Sequence, residues 1–481
     1  GPTPLVHPVK FFEKGDKPLE VISTRQWYIV NGARDEALRS RLLDAGTQIA
    51  FHPDHMRVRY DNWIGGLTGD WLISRQRFFG VPIPVWYRLD EAGERGDVIV
   101  PDEALLPVDP ASDAPAGFDE SQRGVPGGFE GDPDIMDTWA TSSLTPQIAG
   151  GWVNDPELFG LVFPYDLRSQ GQDIIRTWLF STVLRAELEH GQVPWKHAGI
   201  SGFIVDPDRK KMSKSKGNVV TPAAMLDEHG SDAVRYWAAS SRLGSDAAFD
   251  PQNPKLMKIG RRLAIKVLNA AKFVHGFEAT EGAVPTRPLD LDLLAELAVV
   301  VKTATKAYEE YDHARALEVT EQFFWTFCDD YLELVKERAY DQDGLDADGR
   351  GSAVATLQLA LNVLLRLLAP VIPFATEEVW RWSHDGSVHL APWPTVNELG
   401  VDGTPSGLLP AVSTALIGIR RAKTDAKVSQ RAAVSSATIS GPAVLQGGVD
   451  DLAAVGRIHT VTFVEADEIA VSDVVLAPVE E

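Results

Sequence analysis

The sequence predicts an α/β domain, then an all-α helical bundle, then a small C-terminal α+β region. Three observations carry this. Strand-like runs at 165–169 and 200–205 bracket a helical segment opening at Asp173, which reads as β-α-β. From Lys255 onward, apolar residues keep a helical period through five segments with short connections, the pattern of a bundle. Beyond about Pro405 one more helix gives way to strand-like runs at 460–465 and 474–476. At 481 residues the chain has room for roughly three domains, each with its own core.

Composition narrows the function classes. Cys328 is the single cysteine, so an internal disulfide is excluded and a multi-cysteine zinc site is not expected. The histidines show no HxxxH or HExxH spacing, and no structural metal is expected. Cys328 sits in an aromatic helical stretch and is expected in the core rather than as a nucleophile. No apolar run reads as a membrane span and the N-terminus has no signal pattern, so the expectation is a cytoplasmic protein without membrane contact. A net charge of −22 argues against a general nucleic-acid binder; an RNA partner would need a local basic surface.

Taken in order, residues 1–60 hold two short strand-like runs around a helical stretch near 35–45, too broken for a domain, and read as a connector. Asp70 is placed to cap a helix running through Ser74, Arg75 and Gln76 to Gly80. Arg75 and Arg77 read as surface cations, with substrate contact as the alternative. Pro82 and Pro84 bracket a short strand ending at Tyr87. Residues 88–132 are rich in Asp, Glu, Gly and Pro and read as a surface insertion. In the stretch 134–146, Trp139 stands among small and hydroxyl residues, lining a pocket or packing under a loop.

Gly171 turns the chain between the strand and the helix at Asp173. Such crossings are where open α/β sheets place ligands. Asp173 there is suited to a ribose or an ammonium group, or to capping its own helix. The strand at 200–205 leads through Asp206-Pro207-Asp208 into a loop with Arg209, Lys210, Lys211, Lys214 and Lys216, interleaved with Ser213 and Ser215. This loop has no apolar face. Its ammonium groups and hydroxyls suit a polyphosphate; the alternative is a solvated basic turn.

In 255–275 the apolar positions are Leu256, Ile259, Leu263, Val267, Ala270 and Val274. Lys255, Lys258, Arg262 and Lys266 fall on a neighbouring face, a candidate contact for an RNA backbone or a solvated face. Helices are predicted over 289–311, 315–340 and 353–368, with another from Ala375.

The order Lys211-Met212-Ser213-Lys214-Ser215 matches the KMSKS signature of class I aminoacyl-tRNA synthetases. GDWLISRQRFFGVPIPVWY at 69–87, DIMDTWATSSLTP at 134–146, SQGQDIIRTW at 169–178, GSDAVRYWAAS at 230–240 and LLAPVIPFATEEVW at 367–380 extend the likeness over the whole chain. With these motifs the chain resembles the actinobacterial valyl-tRNA synthetases. The DTW and DIIRTW segments separate it from the isoleucyl, leucyl and methionyl relatives.

The resemblance implies ATP-dependent activation of valine, with Mg2+, and transfer to tRNA(Val). It makes 61–250 the C-terminal half of a Rossmann-like class I catalytic domain, 251–395 the anticodon-binding bundle and 396–481 a small α+β region. Lys214, assisted by Lys211, is implied to stabilise the pyrophosphate leaving group, with Met212, Ser213 and Ser215 in the same ATP-binding loop. Gly171 and Asp173 are implied at the adenosine ribose and the valine ammonium. Trp139 and Ile174 would shape the slot for the valine side chain. Two family features are not found: a HIGH-type signature, and the editing insertion that residues 1–60 would follow. The expectation is therefore a monomeric C-terminal portion of a valyl-tRNA synthetase that does not activate valine efficiently alone. The alternatives are a non-catalytic tRNA-binding paralogue and a different nucleotidyl transferase sharing the lysine loop.

Overall fold

The computed structural model describes residues 8–12, 15–20, 22–212, 221–342 and 344–478. It divides into two compact units, Gly1–Ile200 and Ser201–Glu481.

The first unit is α/β. Ala50–His52 pairs in parallel with Trp195–Ser201, and Tyr165–Gly171 completes a three-stranded sheet on the other side of Trp195–Ser201. The helices Glu36–Gln48 and Phe180–His190 bury Leu38, Leu42, Val183 and Leu184 in the core that also holds Phe51, Trp195 and Ile200. Asp35 starts the first helix by accepting from the Leu38 amide at 2.9 Å. Gly46 lies so close to the Tyr60 ring that a Cβ would stand 2.6 Å from it, and the Tyr60 hydroxyl donates to the Leu42 carbonyl at 2.8 Å. With the helix Arg57–Gly65, residues 35–65 thus supply a strand and two helices to this core, more than the connector that the broken pattern of 1–60 suggests.

Two further readings of the first unit change. The helix expected from Asp70 is replaced by the short strands Trp71–Leu72 and Ser74–Arg75, the second antiparallel to Ile135–Met136. Ser74 accepts from the Trp27 amide at 2.9 Å and donates to Gln26 at 2.7 Å, so partners remote in sequence hold the backbone extended. The insertion 88–132 holds strand Arg95–Ile99 and, at its end, Phe129–Gly131; with Trp86–Leu89 they form an antiparallel sheet around buried Trp86, Leu89 and Phe129. Arg123 lies over the Phe129 ring at 4.9 Å and donates to the Pro110 carbonyl at 2.7 Å, closing the irregular loop onto the sheet.

The second unit is a helical body ending in a small sheet. Its core runs through the helices Lys255–Val274, Pro288–Glu309, His313–Thr326, Leu332–Tyr340 and Ala347–Leu368. In the first of these Met257 is buried and Leu256 is 40% exposed, so the inward face begins one residue later than its periodicity suggested. The helix expected over 315–340 is interrupted by a π-helical turn, Phe327–Tyr331, and Cys328 is buried in it. Ala347–Leu368 meets the length and apolarity of a membrane span, contrary to expectation, but most of its apolar residues are buried in the bundle core. Beyond the helix Leu408–Asp425, Val434–Gly441 is the central strand, parallel to Ile458–Glu465 and antiparallel to Ala470–Leu476. The helix Val449–Gly456 makes the crossover that the parallel pair requires. The buried Lys423 ammonium donates to the Gly456 carbonyl at 2.7 Å and the Gln430 carbonyl at 3.0 Å, tying this helix end to its neighbour.

Candidate functional site

The lysine loop begins on a tight turn. Ile204–Val205 pairs in parallel with Ala247–Ala248, and Val205 is bridged to Lys211 across the turn between them. Asp206 organises that turn: its carboxylate accepts from the Lys210 amide at 2.8 Å and its carbonyl accepts from Arg209, which takes a positive φ of 63°. Gly202 permits the strand to pass Ser245, whose carbonyl oxygen would stand 2.2 Å from an added Cβ. Lys211 is exposed and its ammonium lies 4.2 Å from the Phe203 ring centroid. Met212 packs against buried Met225, Ala233, Phe249 and Met257, which anchors the loop's first end. Ser213, Lys214 and Ser215 lie outside the described residues.

In the first unit a cleft of about 460 Å³ contains Trp139 in its wall. Asp137 builds this wall: its carboxylate accepts from the Trp139 amide at 3.2 Å and from Arg75 Nη2 at 2.8 Å. Arg75 is therefore a part of the cleft, against its reading as a surface cation. Asn31 also lines the cleft; it is buried and donates to the Gly69 carbonyl at 3.1 Å. Asp70, in the same wall, carries a buried Oδ1 without a hydrogen-bond partner. An unmatched carboxylate oxygen suits a donor group on a ligand. The sequence pattern pointed to Trp139 but not to Asn31, Asp70 or the Arg75–Asp137 pair. Only the placement of Arg75 and Asp137 in two separate motifs offered a signal.

Gly171 ends the strand Tyr165–Gly171, and Asp173 follows in a 3₁₀ turn, Gln172–Ile174. A π-helical turn, Ile175–Leu179, leads into the helix Phe180–His190, so Asp173 does not cap that helix. Asp173 is exposed, while Ile174 is half-buried against the sheet core with Trp139. Asp173 and Ile174 are not in the wall of the cleft that holds Trp139. Trp178 of the same segment stacks on Trp195 at 5.6 Å and donates to the Ser142 carbonyl at 2.9 Å, holding the DTW segment against the sheet.

On the helix Lys255–Val274, Lys255, Lys258 and Arg262 are exposed. Arg262 lies 5.1 Å from the Trp325 ring centroid, and Lys266 is held by Asp329 at 2.8 Å. The four cations line one side, with Lys266 already partly neutralised. No group of three or more His, Cys, Asp or Glu side chains arranged for a metal occurs among the described residues.

A family model described as tRNA synthetases class I (I, L, M and V) matches residues 13–250, and one described as the anticodon-binding domain of tRNA ligase matches residues 290–438. The chain is 64% identical to a valine–tRNA ligase of Leifsonia xyli subsp. xyli, over 100% of this chain and 57% of that protein. This chain belongs to the class I tRNA synthetases. A valine–tRNA ligase of Thermobifida fusca is 60% identical over 100% of the synthetase chain and 55% of its own length. One of Cutibacterium acnes is 55% identical over 96% of the chain and 53% of its own length. The synthetase chain thus spans just over half the length of the curated relatives it matches. Among solved structures, the ternary complex of Agrobacterium radiobacter K84 agnB2 LeuRS-tRNA-LeuAMS covers 69% of this chain and 42% of its own, with TM-score 0.53 and 23% identity, a likeness of fold.

Proposed function

We propose that this chain carries part of a valine–tRNA ligase: ATP-dependent activation of valine, with Mg2+ on the phosphates, followed by transfer to tRNA(Val). The observation that carries this reading is 64% identity over the whole chain to a valine–tRNA ligase, together with an intact KMSKS run at 211–215. In this reading Lys214 and Lys211 neutralise charge on the leaving pyrophosphate, and Met212, Ser213 and Ser215 belong to the same ATP-binding loop. Gly171 and Asp173 face the ribose and the valine ammonium, and Trp139 with Ile174 bounds the valine side chain. The place of Trp139 in the cleft wall supports its part in this reading; Ile174 lies outside that wall, packed with Trp139 against the sheet core, and the exposure of Asp173 is compatible with contact to a ligand.

Residues 61–250 serve the adenylation chemistry in this proposal, and 251–395 bind the anticodon arm, with Lys255, Lys258, Arg262 and Lys266 on RNA phosphates. Residues 396–481 form the accessory α+β region, and residues 1–60 lead into the catalytic part. The protein works as a cytoplasmic monomer without structural zinc.

The test is valine-dependent ATP–pyrophosphate exchange, with this chain alone and mixed with a protein supplying the portion of the relatives that it does not cover. Exchange in the mixture that disappears with Lys214→Ala supports the proposal. Silence in both, with tRNA(Val) binding retained, favours a tRNA-binding paralogue without catalysis.

A further inference from the structure

A groove of about 350 Å³ opens in the second unit between the helices Ser231–Ala239, Lys255–Val274 and Pro373–Trp380. Its sides are mainly apolar. Ile265 and Leu268 stand on one helix, and Phe374, 65% exposed, stands across from them. The Asp232 carboxylate accepts from the Phe374 and Ala375 amides at 3.1 and 2.8 Å, so the backbone carrying this ring is fixed.

His229 lies in the same wall, where Gly230 turns the chain at a φ of 85°. Its side chain is only 6% exposed, yet Nε2 has no hydrogen-bond partner; the Glu228 carboxylate stands 3.5 Å away. A buried ring nitrogen in the wall of a groove, with no hydrogen-bond partner and only the Glu228 carboxylate at ion-pair distance, suits a donor or acceptor on a ligand. Arg261 stands at the rim, with one N–H on the Glu228 carbonyl at 2.7 Å. Asp232 and Glu378 oppose its charge, so the groove does not select a free anion. The chemistry is that of a flat ring with one polar edge.

The surroundings select which ring. Lys258 and Arg262 are exposed on the helix that carries Arg261 and Ile265, so cations suited to phosphates flank the apolar slot. We propose that this groove receives one unstacked nucleobase of a bound RNA. Its face lies on Phe374, its edge meets His229 Nε2, and its flanking phosphates meet Arg261 and Lys258. This rests on the reading of the chain as a tRNA-binding protein.

The experiment measures binding of an unmodified tRNA(Val) transcript to the full chain across a salt series, for wild type, Phe374→Leu, His229→Asn and Lys258→Ala. Phe374→Leu keeps an apolar residue at an exposed site, and its thermal melt checks that the fold is retained. Loss of base stacking should weaken binding roughly 5- to 100-fold, with the slope of log affinity against log salt unchanged. Lys258→Ala should instead reduce that slope by about one. His229→Asn should weaken binding in the same slope-neutral way. If Phe374→Leu binds the transcript as wild type does, the groove proposal falls while the tRNA-binding reading stands. The groove would then pass to another occupant, such as an aromatic peptide side chain. If wild type does not bind the transcript at all, both fall together.

Discussion

The Arg338 guanidinium holds the Asp290 carboxylate through two hydrogen bonds, 2.7 and 2.8 Å long, in a place where Asp290 has no solvent exposure. Asp290 also accepts from the Tyr331 hydroxyl at 2.8 Å and from Ser352, while Arg338 Nε reaches Asp451 at 2.9 Å. Four segments of the second unit meet at this one ionic group. Arg338→Met would leave Asp290 buried without its cation and should destabilise the unit by about 3–5 kcal/mol. Urea denaturation followed by tryptophan fluorescence measures this. A loss under 1 kcal/mol would show that the cluster is not coupled to the bundle.

Glu296, half-buried on the helix Pro288–Glu309, has its carboxyl pushed up to about 7 by burial and, less strongly, by Asp292. The folded state therefore holds this proton more tightly than the unfolded chain does. Its contribution to stability is present at low pH and is lost as pH rises from the ordinary carboxylate range through about 7. Because the group keeps contact with solvent, the effect should be on the order of 1 kcal/mol. Glu296→Gln should flatten the dependence between these pH values. Denaturation midpoints of both proteins across that window give the answer.

Cys328 is 3% exposed and burial pushes its thiol up to about 12. At neutral pH it is therefore a thiol, and it is shielded. Native protein should not react with a thiol reagent over minutes, whereas the unfolded chain should react with one equivalent. Rapid labelling of the native protein would mean that the π-helical turn opens readily.

The Arg75–Asp137 pair makes a prediction about the candidate valine site. Asp137→Asn keeps the cap on the Trp139 amide but weakens the ion pair, and Arg75→Ala removes it. On the proposed function, Arg75→Ala should raise the KM for valine in the exchange assay roughly tenfold, since a hydrogen bond to a charged group is worth about 1.5–3 kcal/mol. The KM for ATP should change little. Equal shifts in both constants would assign the pair a general structural role.

Lys214→Ala tests the loop. Loss of one charge contact on a developing oxyanion typically lowers the rate by about 10²–10³. A smaller effect than tenfold in an active mixture would remove Lys214 from the chemistry.

The sequence by itself determined the family, through runs such as KMSKS and DTW whose residues are neighbours in the chain. It also determined most bundle helices, because a helix writes its buried face into residues three and four apart. What it misread were places where the partner is remote. Ser74 and Arg75 look helical locally, yet they are extended because Ser74 meets Gln26 and Trp27, 48 and 47 residues earlier, and Arg75 pairs with Asp137, 62 residues later. Asp290 and Arg338 are 48 residues apart and Asp451 lies 113 further on, so no local pattern announces their cluster. The groove around His229 and the cleft around Trp139 likewise exist only once separate elements have packed. Local periodicity reports which face of an element is buried, and only tertiary packing decides which element covers it.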